Sequence, residues 1–234
     1  MDSAGSAGGG VTEMDAVGDS MHSQSVSNEK VNTKVGYKCF KRIFDIVSSG
    51  LGLIVLSPLF LIIAIAIMLE DGAPVFFVQE RNGLNGKVFR MYKFRSMCKN
   101  AAEMHNDLLE QNELDGPAFK MKDDPRLTKV GKFLRKTSLD ELPQLINVFK
   151  GEMSVVGPRP LPTYETEQLT PYQKQRLNVK QGLTCYWQCS GRSDVSFDEW
   201  MDMDMKYIEE ASIRTDFRIF WKTVVKVLTG EGAY

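Results

Sequence analysis

Histidine is nearly missing from this chain: only His22 and His105 occur in 234 residues. A histidine base or a histidine-rich metal site therefore has little to draw on. The four cysteines, Cys39, Cys98, Cys185 and Cys189, show no disulfide framework, and neither histidine stands near the Cys185/Cys189 pair to complete a zinc set. Reduced, partly buried thiols are expected, which favours the cytosolic side of a membrane. Excess charge is also missing, with 29 Lys and Arg against 30 Asp and Glu. Overall charge thus points to no nucleic-acid partner, and the basic residues matter where they cluster. Residues 1–36 have no apolar periodicity and little bulk, so a disordered tail is expected. It is not a secretory signal, because the apolar segment begins too late, runs too long and lacks a small-residue cleavage pattern. The length fits one domain with appendages, residues 37–234.

One stretch lacks charge altogether. Ile46 to Leu69, about 24 residues, is long enough as a helix to cross a hydrocarbon layer of roughly 30 Å. A single transmembrane span is one reading. Ser57-Pro58 near its middle argues for another: proline removes a backbone donor and bends the helix, and the serine hydroxyl is placed to satisfy a freed carbonyl. Lys34, Lys38, Lys41 and Arg42 precede the segment, and Arg81, Lys87, Arg90, Lys93 and Arg95 follow it. The positive-inside tendency pulls both ends to one face, as a re-entrant helix over 43–69 would allow.

Beyond it, Val75–Gln79 and Val88–Phe94 have strand composition, and Asn82-Gly83 and Asn85-Gly86 supply turns, which predicts a hairpin. Period-two alternation puts Lys93 and Arg95 on one side of the pleat, either solvated or facing a site. A helix is expected over Ser96–Asn112, followed by a polar loop up to Pro125. Phe197–Glu210 reads as a helix with a solvated acidic face. A last helix carries Ile213, Phe217, Phe220, Val224 and Leu228 as a stripe, suited either to the headgroup region or to the protein core. The fold class is α+β, mostly helical, with a small hairpin.

The densest chemistry lies at Ser138-Leu139-Asp140-Glu141-Leu142-Pro143-Gln144, behind the basic run Lys120, Lys122, Arg126, Lys129, Lys132, Arg135 and Lys136. Such a run keeps carboxylates ionised and attracts polyanions. Ser138 and Glu141 also match a capping box, in which Asp140 would only complement a helix dipole. Pro143 sits uneasily in that scheme. Alternatively, Asp140 is a nucleophile and Glu141 binds a divalent cation or accepts a proton. Gly157-Pro158-Arg159-Pro160 fixes the backbone on both sides of Arg159, which suits either a bidentate grip on phosphate or an ordinary rigid turn.

Taken together, Lys41–Asp45, Ser57-Pro58, Tyr92–Met97, Ser138–Gln144, Asn147–Ser154, Gly157–Pro160 and Gly191-Arg192 resemble the bacterial sugar transferases known as monotopic polyprenyl-phosphate phosphoglycosyl transferases. The likeness is collinear over 37–234. It implies transfer of a sugar 1-phosphate from a nucleotide diphosphate sugar, usually a UDP-sugar, to polyprenyl (undecaprenyl) phosphate, releasing UMP. Asp140 matches the family nucleophile that forms a covalent phosphosugar intermediate, and Glu141 the companion assigned to metal binding or proton transfer. The resemblance further implies Mg2+ held by Asp140 and Glu141, and phosphate and nucleotide contacts from Lys93, Arg135 and Arg159. It also implies a helix bent at Ser57 and Pro58 that keeps both ends on the cytoplasmic face of the bacterial cell membrane, with a homodimer allowed. The sequence departs from many relatives at Cys185 and Tyr186, in a part of the family linked to sugar choice. A membrane-anchored scaffold and a nucleotide-sugar hydrolase are the competing readings of the same charge pattern.

Overall fold

A computed structural model describes residues 35–101, 103–104, 121, 124–190 and 195–229, with the side chains of 227 and 228 left aside. Nearly all of the expected tail, the larger part of the expected 96–112 helix, most of the loop up to Pro125 and Gly191-Arg192 lie outside the described residues.

The uncharged stretch forms two helices, α1 (Val35–Val55) and α2 (Ser57–Asp71), bent by 59° at the break between them. The cause is local. Pro58 has no N–H to give the carbonyl of Ile54 four residues back, and Ser57 Oγ donates to that carbonyl instead at 2.8 Å. Neither helix alone is long and apolar enough to cross a membrane, whereas the bent pair together passes that test.

Burial along α1 is inverted relative to a soluble helix, whereas α2 buries Ile63 and Ile67 and exposes most of its other large apolar residues. In α1 the buried residues are Asp45 and Ser49, while Ile54 and Val55 stand 72% and 71% exposed; in α2 Leu69 is 83% exposed. Asp45 Oδ1 accepts hydrogen bonds from Ser154 Oγ and from the Val155 amide, at 2.9 and 2.8 Å. Polar groups therefore dock α1 on the protein, and its apolar groups face outward, as expected of a helix whose surroundings are apolar. Two of the cations credited to the positive-inside argument are used inside the protein. Lys41 Nζ pairs with Asp216 at 2.6 Å, and Arg42 donates to the carbonyls of Val148 and Phe149.

The hairpin forms with a longer first strand than expected: β1 (Phe76–Asn82) pairs antiparallel with β2 (Val88–Phe94), Phe76 opposite Phe94 and Asn82 opposite Val88. Asn85 and Gly86 turn the chain at positive φ, 55° and 75°. Asn147 extends this sheet without a strand, accepting from the Tyr92 amide and donating to the Arg90 carbonyl.

The start of the expected 96–112 helix is not helical. The Cys98 amide donates to the Arg126 carbonyl and the Thr128 amide to the Ser96 carbonyl, so long-range pairing with 126–128 outcompetes the apolar periodicity. Helix α3 (Lys129–Lys136) follows, capped by Thr128 and by the carboxylate of Glu70 at the end of α2, which accepts from the Lys129 and Val130 amides. A Cβ at Gly131 would lie 1.8 Å from the Ser96 carbonyl oxygen, so only glycine lets α3 approach that segment.

After a 3-10 turn at Leu139–Glu141 come α4 (Gln144–Lys150), β3 (Ser154–Val156), α5 (Thr163–Glu167), α6 (Pro171–Lys174), β4 (Gly182–Thr184), α7 (Tyr186–Cys189), α8 (Phe197–Glu210) and α9 (Ile213–Thr229). β3 and β4 pair in parallel. The main core gathers Met91, Val148, Val156, Tyr207 and Ile219 from β2, α4, β3, α8 and α9, with Met153 from the turn before β3. The α8 helix buries Met201, Met205 and Ile208, and Asp204, expected to be solvated with the helix's other acids, is fully buried beside them. In α9 the exposed stripe is Ile213, Phe217, Trp221 and Val225, while Phe220 turns inward onto Phe44, their ring centroids 5.4 Å apart.

Candidate active site

Asp140 and Glu141 occupy the 3-10 turn, whose Leu139 and the following Leu142 pack against a cluster of Ile63 and Ile67 from α2, Phe94 from β2 and Leu134 from α3. The turn that carries the carboxylates thus shares a core cluster with α2. The capping-box reading fails here. Ser138 adopts a left-handed φ of 57° and makes no side-chain cap bond, and the side chain of Glu141 is turned away to two cations. Pro143 is the reason in part, since α4 begins only after it, with Pro143 itself at the N-cap.

Glu141 is gripped from two sides. Lys93 Nζ lies 2.9 Å from Oε1, while Arg159 approaches Oε1 with Nη2 at 2.6 Å and Oε2 with Nη1 at 3.2 Å. Burial alone would raise the Glu141 carboxyl, but Arg159 and Lys93 outweigh it and hold the group well below the usual carboxylate range. Asp140, only 7% exposed, differs: burial pushes its carboxyl up, Lys93 opposes the rise, and the adjacent Glu141 adds to it. Two neighbouring carboxylates are thereby driven apart, one a fixed counter-ion and the other a less stabilised and more basic anion.

Arg159 is held by its loop as the two prolines led one to expect, with further anchoring. Three successive carbonyls each accept a hydrogen bond: Pro158 from the Gly182 amide at 2.8 Å, Arg159 from Arg176 Nη2 at 2.7 Å, and Pro160 from Arg81 Nη1 at 3.0 Å. The first of these needs β3 and β4 to lie close, and a Cβ on Gly182 would meet the Gly157 nitrogen at 2.3 Å. Lys93 shares the side of β2 that carries Phe89 and Met91 and faces the site rather than water, its side chain 15% exposed. Arg95 on the same side is spent on structure, donating to the Gly72 carbonyl at 2.6 Å and pairing with Asp71.

Arg135 is exposed at the end of α3, 3.3 Å from Ser96 Oγ, close enough for its charge to favour the ionised form of Asp140. The rest of the basic run does not converge on the carboxylates. Arg126 pairs with Asp124, Lys129, Lys132 and Lys136 lie exposed along α3, and Lys120 and Lys122 are outside the described residues.

Sequence reasoning missed Arg81. It lies beneath the Arg159 loop, where burial and the nearby Arg159 charge lower its guanidinium to about 10. Its position on β1, in pleat with the hairpin, was the available signal. Also missed was the fully buried pair of Arg176 and Asp204, 2.6 Å apart. Asp204 falls on the Met201/Met205/Ile208 stripe of α8, a carboxylate among apolar neighbours that calls for a buried cation.

Among the described residues no group of three or more His, Cys, Asp or Glu side chains is arranged to hold a metal ion. Both Glu141 oxygens are taken by Lys93 and Arg159, which leaves Asp140 as the carboxylate with capacity to spare. One protein carboxylate completed by substrate phosphate oxygens and water suits Mg2+, which dehydrates reluctantly and rarely sits in an all-protein cage.

The family model for the bacterial sugar transferases matches residues 36–230. The chain belongs to that family. It is 46% identical over 203 residues to the galactosyl transferase CpsE of Streptococcus agalactiae serotype III, covering 86% of this chain and 44% of that protein. Identity is 44% over 198 residues to an undecaprenyl-phosphate galactose phosphotransferase of Salmonella typhimurium, covering 83% and 41%. A shorter relative, the exopolysaccharide production protein ExoY of Sinorhizobium fredii, is 40% identical over 83% of this chain and 88% of its own length. The chain thus spans less than half of the first two relatives and most of the third.

Proposed function

We propose that this sugar transferase domain moves a sugar 1-phosphate from a UDP-sugar to polyprenyl phosphate at a membrane surface. The observation that carries the reading is the unequal treatment of Asp140 and Glu141. Glu141 fixes Arg159 and Lys93 in place, and Asp140 beside them remains a carboxylate free to attack.

In the first step an Asp140 carboxylate oxygen attacks the β-phosphorus of the bound UDP-sugar. The bond from that phosphorus to the bridging oxygen breaks, the oxygen leaves with the α-phosphate as UMP, and the sugar phosphate stays on Asp140 as a mixed anhydride. In the second step a phosphate oxygen of the polyprenyl phosphate attacks the same phosphorus, the bond to Asp140 breaks, and a polyprenyl diphosphate sugar departs with Asp140 restored. No proton need be lost when the lipid phosphate enters as its dianion. Arg159 and Lys93 neutralise charge building on the equatorial oxygens, with Arg81 and Arg135 adding to the field that draws in two successive polyanions. Mg2+, held by Asp140 and the diphosphate, would neutralise the leaving group.

The location follows the same logic. A re-entrant α1–α2 pair, apolar outside and sharing a core cluster with Leu139 and Leu142 on either side of the carboxylates, would bring the nucleophile to the depth of a lipid phosphate. Exposed Phe217 and Trp221 on α9 add an interfacial aromatic surface. Both ends of the helix pair would then lie on the cytoplasmic face.

The test is UMP release with Mg2+ and UDP-galactose or UDP-glucose, with and without undecaprenyl phosphate. Lipid-dependent release lost in Asp140→Asn supports the transferase. Release without lipid makes it a hydrolase, and no release with any nucleotide sugar removes the enzymatic reading.

A further inference from the structure

Behind the Arg159 loop lies a layer that the reaction scheme does not use. Arg176 is fully buried, and both its Nε and Nη2 donate to Asp204 Oδ2, at 2.9 and 2.6 Å. The same Nη2 donates to the Arg159 carbonyl at 2.7 Å. The Arg176 guanidinium carbon is 5.6 Å from the Trp200 ring centroid. Trp200 stacks on Trp187 at 4.3 Å and 15°, and the Arg159 guanidinium carbon is 6.0 Å from the Trp187 centroid on the other end of the stack. The order is therefore Arg159, Trp187, Trp200, Arg176, and the chain of contacts closes through the Arg159 carbonyl. Both the backbone and the head of Arg159 are referenced to one buried assembly.

We infer that Arg176, locked by Asp204 against Trp200, is a positioning residue that sets where Arg159 presents its guanidinium to a diphosphate. This rests on the reading above in which Arg159 contacts the donor's phosphates. Stability is a poor account of the pair. A buried ion pair commonly does no better than an apolar pair of similar volume, and here Arg176 Nη1 and Asp204 Oδ1 have no hydrogen-bond partner among the described residues. Geometry is what an apolar replacement cannot supply, because it has no donor for the Arg159 carbonyl. Leu161, which follows the loop, is buried in the same cluster with Trp200 and Met201, so the layer holds the loop on its downstream side as well.

A double-mutant cycle tests this on the full chain in lipid nanodiscs with Mg2+, reading equilibrium binding of inorganic pyrophosphate and of UDP-galactose by titration calorimetry. The four proteins are the unsubstituted chain, Arg176→Met/Asp204→Leu, Arg159→Gln, and all three changes together; Lys93, Arg81 and Arg135 keep binding measurable throughout. Removing the buried pair should weaken pyrophosphate binding about tenfold when Arg159 is present and less than twofold when it is not, because coupled residues depart from additivity. An equal loss in both backgrounds, or none, overturns the inference and leaves the pair a purely structural feature. Should the Met/Leu replacement fail to fold, Arg176→Lys enters the same cycle, keeping the charge toward Asp204 but losing the fork that reaches the Arg159 carbonyl. The expected cycle without turnover of any UDP-sugar keeps the positioning role and removes the transferase reading. Turnover with an additive cycle does the reverse, and binding of neither ligand by the unsubstituted chain overturns both.

Discussion

Two arginine–carboxylate pairs flank the Gly157–Pro160 loop, with the same closest approach of 2.6 Å and opposite surroundings. Arg159 and Glu141 are 25% and 21% exposed, whereas Arg176 and Asp204 are both at 0%. The exposed pair can exchange partners when a phosphate arrives, because water and ligand reach both groups. The sealed pair cannot, and burial lifts the Asp204 carboxyl to about 6 despite Arg176. The same chemistry thus serves as a contact surface in one place and a fixed brace in the other.

The strongest way to break this comparison is to remove the group the exposed pair surrounds. Asp140→Asn should lower lipid-dependent UMP release by at least about a thousandfold, with the fold unchanged by circular dichroism. A residual rate within tenfold of the parent would put the nucleophile elsewhere.

Breaking the sealed pair one-sidedly should instead act on stability. Asp204→Asn leaves the Arg176 charge buried without its counter-ion and should cost about 3 kcal/mol in denaturant unfolding, whereas Arg176→Met/Asp204→Leu should be about neutral or stabilising. Equal losses would mean that the pair is no more than volume.

On the exposed side, Arg159→Lys keeps the charge but loses the two-pronged contact, and about a tenfold fall in kcat/KM for the donor is expected. Glu141 should then titrate higher.

The pH dependence sharpens the contrast further. The folded-state value of Asp204 lies above the ordinary aspartate value of about 3.9, so the folded state binds that proton more tightly. Its contribution is therefore fully present below about 3.9 and lost as pH rises to about 6. Glu141 runs the other way, because its lowered value gives stability that is present above the ordinary glutamate range and lost as pH falls below it. Thermal unfolding from about pH 2.5 to 7 should accordingly lose the component that falls as pH rises in Arg176→Met/Asp204→Leu and keep the Glu141 component at the acid end.

The smallest effect concerns the bend. Ser57→Ala removes the donor to the Ile54 carbonyl and should cost about 1 kcal/mol or less, read as a drop in the unfolding midpoint in detergent.

Much of this arrangement was legible from residue types alone. The serine's role at the bend, the hairpin and the rigid presentation of Arg159 all follow from backbone chemistry that acts over a few residues; alternation put Lys93 on one side of the pleat without deciding whether that side met water or a site. Long-range competition was not legible. Ser96–Ala101 has a helical period but pairs with 126–128, and Ser138 fits a capping box whose Glu141 is drawn off by Lys93 and Arg159, 48 and 18 residues away in sequence. Asp204 read as part of a solvated acidic face because its partner Arg176 sits 28 residues earlier, in a segment with no apolar pattern to mark it as interior.

The central claim is covalent transfer through Asp140, and intact-protein mass spectrometry after mixing with Mg2+ and UDP-galactose, with lipid omitted, tests it most directly. The account predicts a mass increase of one hexose phosphate, mapped to the peptide carrying Asp140 and discharged when undecaprenyl phosphate is added. UMP release with no adduct on that peptide under acid-quenched conditions would contradict it.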